Sequence, residues 1–491
     1  MWFSRFFQKP THPPLFLHNT LGKAKQEFTL SKDRRRVGMY NCGPTVYDTS
    51  HIGNLRSYVF ADLVRHTLEY NGFAVKQVIN ITDFGHLSSD ADRGEDKMSK
   101  ALKREGMELS LENMRALADK YIAEFMRDLK ELHIDTDHIE FPRASDHIAG
   151  EIAMVRTLEE KGYTYTGKDG VYFDTSRYPE YGKLGNIDLA GQKEGARVAS
   201  TGEKKNPTDF LLWKKDAHLG WDSPWGKGFP GWHIECSAMI SATLGKQIDI
   251  HTGGIDLMPT HHNNEIAQSE SATGKRPFSR FWLHHEFLNI AEEKISKSVG
   301  NMIDLPDLIE KGYHPLALRY LFLTAHYRSP LNFTWDALDA AQTSFLKLRR
   351  LVDTRAMGGT ISAVWQRKVH ERLNDDIDTP GALAVLWEMT KDHELSGAEV
   401  RATLVDADRV LGLGFHLPDP SADALLRKLF GIPVALEELP KHVRTLLDSR
   451  EAARNKKNWQ VADSLRAELQ KLGYLIEDTS ADPRIFRKDV L

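Results

Sequence analysis

Only two cysteines occur in the 491 residues, Cys42 and Cys236, the second within GWHIECSAM. His261 and Glu265 stand four residues apart in HHNNEIAQ, a spacing that puts both side chains on one face of a helix. Two thiolates, an imidazole and a carboxylate make a tetrahedral donor set for zinc. No Cys-x-x-C pair is present, so the residues alone leave a second reading open, two buried thiols and a helix end. HIGN at 51–54 offers different chemistry. At the mouth of a helix, Gly53 lets backbone amides approach a phosphate and the helix end supplies partial positive charge. His51 and Asn54 can donate to phosphate oxygens there. KISKSVGN at 294–301 sets Lys294 and Lys297 three apart, with Ser296 and Ser298, on a glycine-containing loop. That pattern suits a clamp over a triphosphate, neutralising charge that develops on departing pyrophosphate. An ordinary turn and a solvated lysine loop are the plainer readings of these two segments. DKMSKALKREG at 96–106 holds a similar KMSK, but it runs straight into charged helix sequence and reads as a surface segment.

These side chains need elements to position them. Met39, Tyr40 and Asn41 read as a strand end, Gly43–Pro44 as a turn, and the following run as a helix with Leu55, Tyr58, Val59, Leu63 and Leu68 on its apolar face. After Asn71–Gly72, FAVKQVINITD alternates as a strand. Strand, glycine turn, helix and strand begin a βαβ unit, hence an α/β fold with a parallel sheet. Residues 102–135 are helical in pattern. From about 140 to 225 a helix at 147–161, short strands such as GVYFDT and a Gly/Lys-rich loop read as an insertion. IDIH at 248–251 is a strand before Gly253–Gly254 and a helix at about 260–273, and a third strand near Phe287–Ile290 precedes KISKSVGN. Beyond about 305 strands largely vanish. Amphipathic helices, the link MGGTIS at 357–362, a helical run at 363–412 and a helical module around 422–471 complete the chain.

Composition limits what such a chain does. Hydrophobic residues are 41% and charged residues 27%, ordinary for a globular protein. The formal net charge of −4 excludes a basic coat for nucleic acid but leaves room for a local groove. Two cysteines exclude a disulfide scaffold. No apolar run is long enough to span a membrane, and MWFSRFFQKP does not make a signal peptide. A cytoplasmic location is expected.

Taken in order, CGPTVYDTSHIGN, VINITD, NPTDFLLWK, SPWGKGFPGWHIECSAM, DIHTGGIDLMPTHHNNEIAQSE, KISKSVGN and ALRYLFLTAHYRSPLNF resemble the cysteine–tRNA ligases, class I aminoacyl-tRNA synthetases. LNDDIDTPGAL and KNWQVADSLRAELQKLGYLIEDT extend the likeness over essentially the whole chain. The resemblance implies a Rossmann-type catalytic domain in two halves, 17–140 and 229–304, around an inserted acceptor-end domain at 141–228. A stem-contact region at 305–350, a helical bundle at 351–425 and an anticodon-recognition module at 426–491 would follow. It implies one zinc per chain on Cys42, Cys236, His261 and Glu265, where a soft ion rewards the sulfur of L-cysteine over the oxygen of serine. Trp232 would stack over the substrate side chain, with His251 and Asp256 at the same pocket. His51, Gly53 and Asn54 correspond to the family's HIGH sequence, and Lys294, Lys297 and Ser298 to its KMSKS loop, the two together holding ATP and its Mg²⁺. Two departures stand out. Asn54 replaces the second histidine, keeping a donor without positive charge, and Ile295 replaces methionine, a near-neutral apolar exchange.

The implied reaction forms cysteinyl-adenylate and pyrophosphate, then transfers the cysteinyl group to tRNA(Cys), in a monomer without an editing site. Residues 441–491 carry 11 Lys and Arg against 8 Asp and Glu, a mild excess that tolerates RNA. Trp459 would stack on an unpaired base or pack against Leu465. Phe486, in DPRIFRK, stands where the family's tail carries tryptophan. One rival reading is a ligase that passes activated cysteine to an amino sugar–inositol acceptor, against which the helical C-terminal part speaks. The other is a silent RNA-binding paralogue, against which the intact zinc ligands and loop lysines speak.

Overall fold

Val37–Asn41 (β1) is buried at every position, as a strand covered on both faces must be. Gly43 turns the chain, and Ile52–Tyr70 (α1) crosses back with Leu55, Tyr58, Val59, Leu63 and Leu68 buried. Val75–Ile79 (β2) then runs parallel to β1, in register from Val37 opposite Val75 to Asn41 opposite Ile79. The helix expected over 102–135 is two helices, Lys97–Arg104 (α2) and Leu111–Glu131 (α3). Gly106 at φ +70° ends the first, and Ser110 caps the second by accepting the Asn113 amide hydrogen. Ile139–Glu140 (β3) adds a short parallel strand beside β2.

Ile148–Glu160 (α4) leads into an antiparallel sheet of Thr164–Thr166 (β4), Gly170–Phe173 (β5), Phe210–Lys215 (β6) and Gly228–Pro230 (β7), ordered β7-β6-β5-β4. This falls where the sequence reads as an insertion. Trp232–Thr243 (α5) returns to the parallel sheet, where Ile248–Gly254 (β8) pairs with β1. After Asn263–Thr273 (α6), Ser279–His285 (β9) forms the outer strand. The strand expected near Phe287–Ile290 is present but lies outside this sheet. Leu288–Ile290 (β10) pairs instead with Leu331–Phe333 (β11) in a separate small sheet. The main order, β9-β8-β1-β2-β3, changes direction between β8 and β1, which opens a crevice at their carboxyl ends.

This computed structural model describes residues 13–31, 34–84, 87–89, 93–185, 204–290, 293–294, 302–478 and 483–488. Two compact units result, residues 343–355 with 414–491 and the remainder. The larger unit also holds Pro315–Leu323 (α7), the start of Trp335–Thr354 (α8), and Ala363–Asn374 (α9), Thr379–Met389 (α10) and Gly397–Leu411 (α11). Arg319 of α7, fully buried, donates to Asp62 Oδ2 (2.6 Å), Leu132 O (2.8 Å) and Leu411 O (2.7 Å). Gly412 makes room for it: the backbone there has φ +66°, and a Cβ would lie 2.2 Å from Arg319 Nη2.

In the smaller unit Pro420–Phe430 (α12), Lys441–Asn455 (α13) and Trp459–Lys471 (α14) accompany a three-stranded antiparallel sheet. Its strands are Ile432–Val434 (β12), Tyr474–Glu477 (β13) and Arg484–Arg487 (β14), with β14 central. The sheet adds three short strands to a region expected to be mostly helical. Phe486 is buried in it, with the Arg350 guanidinium 4.2 Å above its ring, so it serves the core rather than offering a face to a base. Trp459 is 57% exposed and does not bury itself against Leu465.

Candidate active site and metal centre

A cavity of about 980 Å³ opens at the carboxyl ends of β1 and β8, within the range of sites that enclose small-molecule ligands. Cys42, His51, Gly53 and Asn54 line it from the β1–α1 connection, Trp232 from α5, Asp256 from beyond β8, and Phe287 and Leu288 from beyond β9. His51 is the N-cap of α1. Its Nδ1 accepts the Asn54 amide hydrogen at 3.2 Å, while the His51 amide donates to Asn54 Oδ1 at 3.3 Å. This reciprocal capping box fixes the tautomer, because a neutral ring accepting at Nδ1 carries its proton on Nε2. Asn54 keeps its NH₂ as a donor.

Behind Cys42 lies a polar cluster. One Sγ from Cys42, one from Cys236, a ring nitrogen of His261 and a carboxylate oxygen of Glu265 lie within 4.8 Å of one another. Cys236, His261 and Glu265 are almost wholly buried. His261 sits on a π-helical turn, Met258–His262, that runs directly into α6, where the sequence suggests uninterrupted α-helix. Such turns recur at functional sites. His251 and His262 combine with Cys42 and Glu265 in a second set of the same compactness, and hydrogen bonding separates the two sets. His251 Nε2 bonds to Glu265 Oε2 at 2.9 Å, and His262 Nε2 to Cys42 Sγ at 3.3 Å. His261 Nε2 lies 2.8 Å from Glu265 Oε1 but off the hydrogen-bond direction, and it has no hydrogen-bond partner. A ring nitrogen and a carboxylate oxygen this close without such a bond are placed as two ligands of a single cation would be. The donor set of Cys42, Cys236, His261 and Glu265 therefore fits zinc, with His251 and His262 orienting the ligands from outside.

Electrostatics follow from burial and pairing. Burial alone would raise the Glu265 carboxyl, but His251 and His261 hold it down at about 2. Burial would lower His261, and Glu265 and Cys236 lift it to about 10. The hydrogen bond from Cys42 pulls Cys236 down to about 6 against burial, while burial pushes Cys42 up.

His251 was expected at the substrate pocket. It is instead fully buried, stacked on Trp282 at 4.4 Å, and does not line the cavity. Trp232 does line it, packed at 4.4 Å against the His261 ring. Lys294 belongs to a short strand paired with β10 whose side chains are not described, and Lys297 and Ser298 lie outside the described residues. The sequence reading missed a relay in which His262 Nδ1 meets His284 Nε2 (2.8 Å) and His284 Nδ1 meets Thr20 Oγ1 (2.8 Å). The HH doublets at 261–262 and 284–285 are its only sequence trace. The KMSK segment set aside as surface is α2, and its Lys97 and Lys100, with Arg104, line the same cavity. Arg104 is tied to Asp48 at 3.0 Å and to the Tyr121 hydroxyl at 2.8 Å.

The parallel sheet, interrupted along the chain by an antiparallel one and with a cavity at its switch point, is that of a class I aminoacyl-tRNA synthetase catalytic core. The solved Mycobacterium tuberculosis methionyl-tRNA synthetase in complex with methionyl-adenylate shares this fold at TM-score 0.54 and 17% identity, over 81% of this chain and 94% of that one. The family profile for the tRNA synthetases class I (C) catalytic domain matches residues 28–343, and that for the cysteinyl-tRNA ligase anticodon binding domain matches 436–483. Among curated relatives, cysteine–tRNA ligase 1 of Burkholderia lata is 47% identical over 96% of this chain and 97% of its own. The cysteine–tRNA ligase of Treponema denticola is 39% identical over 94% and 98%. The chain belongs to the cysteine–tRNA ligase family.

Proposed function

We propose that the protein joins L-cysteine to tRNA(Cys) in two steps at the β1/β8 cavity. In the first, the cysteine carboxylate attacks the α-phosphorus of Mg²⁺-bound ATP and pyrophosphate leaves. In the second, a terminal ribose hydroxyl of the tRNA attacks the adenylate carbonyl and AMP leaves. Neither step needs a protein nucleophile, so the residues act by placement and by meeting developing charge. His51 donates from Nε2 and Asn54 from its NH₂ toward the phosphates, with Gly53 keeping the approach clear of side chains. Lys294, Lys297 and Ser298 are assigned to the pyrophosphate, Trp232 to the cysteine side chain and Asp256 to the pocket wall. Bound by Cys42, Cys236, His261 and Glu265, one zinc per chain supplies a soft Lewis acid that holds a thiolate in preference to a hydroxyl. His251 and His262 fix the Glu265 and Cys42 ligands in orientation.

The observation that carries this reading is that Cys42 belongs both to the metal-donor cluster and to the wall that holds His51 and Asn54. A thiol-selective site and a phosphate-binding helix cap thus share one cavity. The same reading gives a monomer acting in the cytoplasm, with the insertion at 141–228 meeting the acceptor end, 305–350 the stem and 426–491 the anticodon. The test is transfer of radiolabelled cysteine to total tRNA by zinc-loaded protein, with serine as control. ATP-dependent, cysteine-specific charging is expected; failure to charge native tRNA would overturn the assignment.

A further inference from the structure

Arg56 lies one turn beyond the His51 cap on α1 and is 3% exposed. All its hydrogen bonds among the described residues end on carbonyl oxygens: Nη1 on Glu286 (2.9 Å) and Phe287 (2.6 Å), Nη2 on Ser329 (2.8 Å) and, at the limit, His326 (3.5 Å). These carbonyls belong to the segments that enter β10 and β11. The contact does not stand alone. Ser57 Oγ meets His285 Nε2 at 2.7 Å, and the Ile52 amide donates to Ile303 O at 2.9 Å. The first two turns of α1 therefore hold both the approach to β10 and the segment at 303, while Phe287 and Leu288 line the same cavity as the α1 cap.

A buried cation whose hydrogen bonds all end on neutral carbonyls, with only the Glu286 carboxylate adding opposite charge nearby, is costly to desolvate and gains little from its charge. What the guanidinium adds is geometry. Its planar fork reaches several carbonyls at fixed angles, which neither an ammonium nor a thioether can do. Burial brings its basicity down to about 10, so it stays charged at neutral pH. We infer that Arg56 is a positioning residue for nucleotide activation, setting the gap between the His51–Asn54 wall and the Phe287–Leu288 wall of the cavity. The inference rests on the reading of this cavity as the ATP site.

Arg56→Gln and Arg56→Lys, compared with the parent chain, test it by cysteine-dependent ATP–pyrophosphate exchange. Zinc content, cysteine affinity and melting temperature are recorded beside it. In Arg56→Gln, kcat/KM for ATP should fall by about 100-fold, the scale of an ångström-level misplacement. Zinc content should stay at the parent value and cysteine affinity within about threefold, because neither depends on this wall. Arg56→Lys, which keeps the charge and one line of donation, should recover about tenfold of that loss. A lower melting temperature with unchanged ATP parameters per zinc-loaded chain would assign Arg56 to stability alone and overturn the inference. So would equal losses for ATP and cysteine. Should Arg56→Gln not fold, Arg56→Lys decides: a selective loss of about tenfold in ATP use is expected, and parent-like kinetics overturn the inference. No exchange by the parent chain would refute the ATP reading, and the role of Arg56 with it.

Discussion

Glu265 meets one histidine on each carboxylate oxygen, and the two contacts differ in kind. His251 makes a hydrogen bond, whereas His261 Nε2 lies 2.8 Å from the other oxygen off the hydrogen-bond direction. That difference separates an orienting residue from a ligand, and it puts the selectivity of the site on the sulfurs. Cys236→Ser leaves an oxygen donor in place of a thiolate. Zinc in the freshly purified variant should fall well below one per chain by atomic emission, and preference for cysteine over serine in the exchange assay should drop with it. Asn54 tests a different balance. Asn54→Ala removes the oxygen that accepts the His51 amide hydrogen and should cost about 1 kcal/mol in thermal unfolding. Asn54→Asp restores that acceptor, and so the stability, but places a negative charge beside the triphosphate. Pyrophosphate exchange should then fall below that of the alanine variant, so that stability and activity move in opposite directions.

Elements place these residues through close backbone approach. A Cβ on Gly43 would sit 1.6 Å from Asn80 O, while the Gly43 amide donates to Asn80 Oδ1 at 2.8 Å. The turn after β1 is thus pressed against the end of β2 with no room for a methyl group. Gly43→Ala must displace Cys42 or separate the strands. We expect a loss of about 3 kcal/mol or more in denaturant unfolding, accompanied by weaker zinc retention in a chelator competition. Much of this architecture is legible in the sequence because the relevant signals are local. The βαβ start, the HIGN cap and the four-residue interval from His261 to Glu265 each follow from periodicity within one segment. What escapes reading is set by distant partners. His262 looks like any second histidine until β9 brings His284 against it. The KMSK of α2 looks like surface because nothing in its own segment reveals that it faces the β1/β8 crevice. The sheet of the smaller unit is hidden for the same reason, since β14 finds β12 from across two helices.

At the scale of the larger unit, Arg319 is the tie between α1, the end of α3 and the end of α11. Arg319→Met would leave Asp62 buried with only Arg65 and the His66 ring beside it and two carbonyls unpaired, at a cost of about 3–5 kcal/mol in urea unfolding. Burial pushes the Asp62 carboxyl up, but His66, Arg319 and Arg65 together bring it below the usual range. His66 is itself lowered by burial, so near neutral pH the arginines supply the pull. A depressed carboxyl contributes stability that is complete above the unfolded-state value of about 4 and disappears as pH falls through the lower folded value. Stability of the parent chain should therefore drop more steeply below pH 4 than that of Asp62→Asn, measured by urea midpoints between pH 2.5 and 6. The Asn variant should start lower at neutral pH.

The same tie has a consequence in time. Arg319 joins partners 257, 187 and 92 positions away along the chain, and Gly412 must be in place for the last of them to close. A growing chain on the ribosome therefore completes every strand of the parallel sheet, and the helix that caps its cavity, well before the residues that lock them together have been made. Through that interval the core lacks this tie, and contacts of such long separation form late. Final closure of the synthetase core thus waits on a segment that is not among the residues lining its cavity.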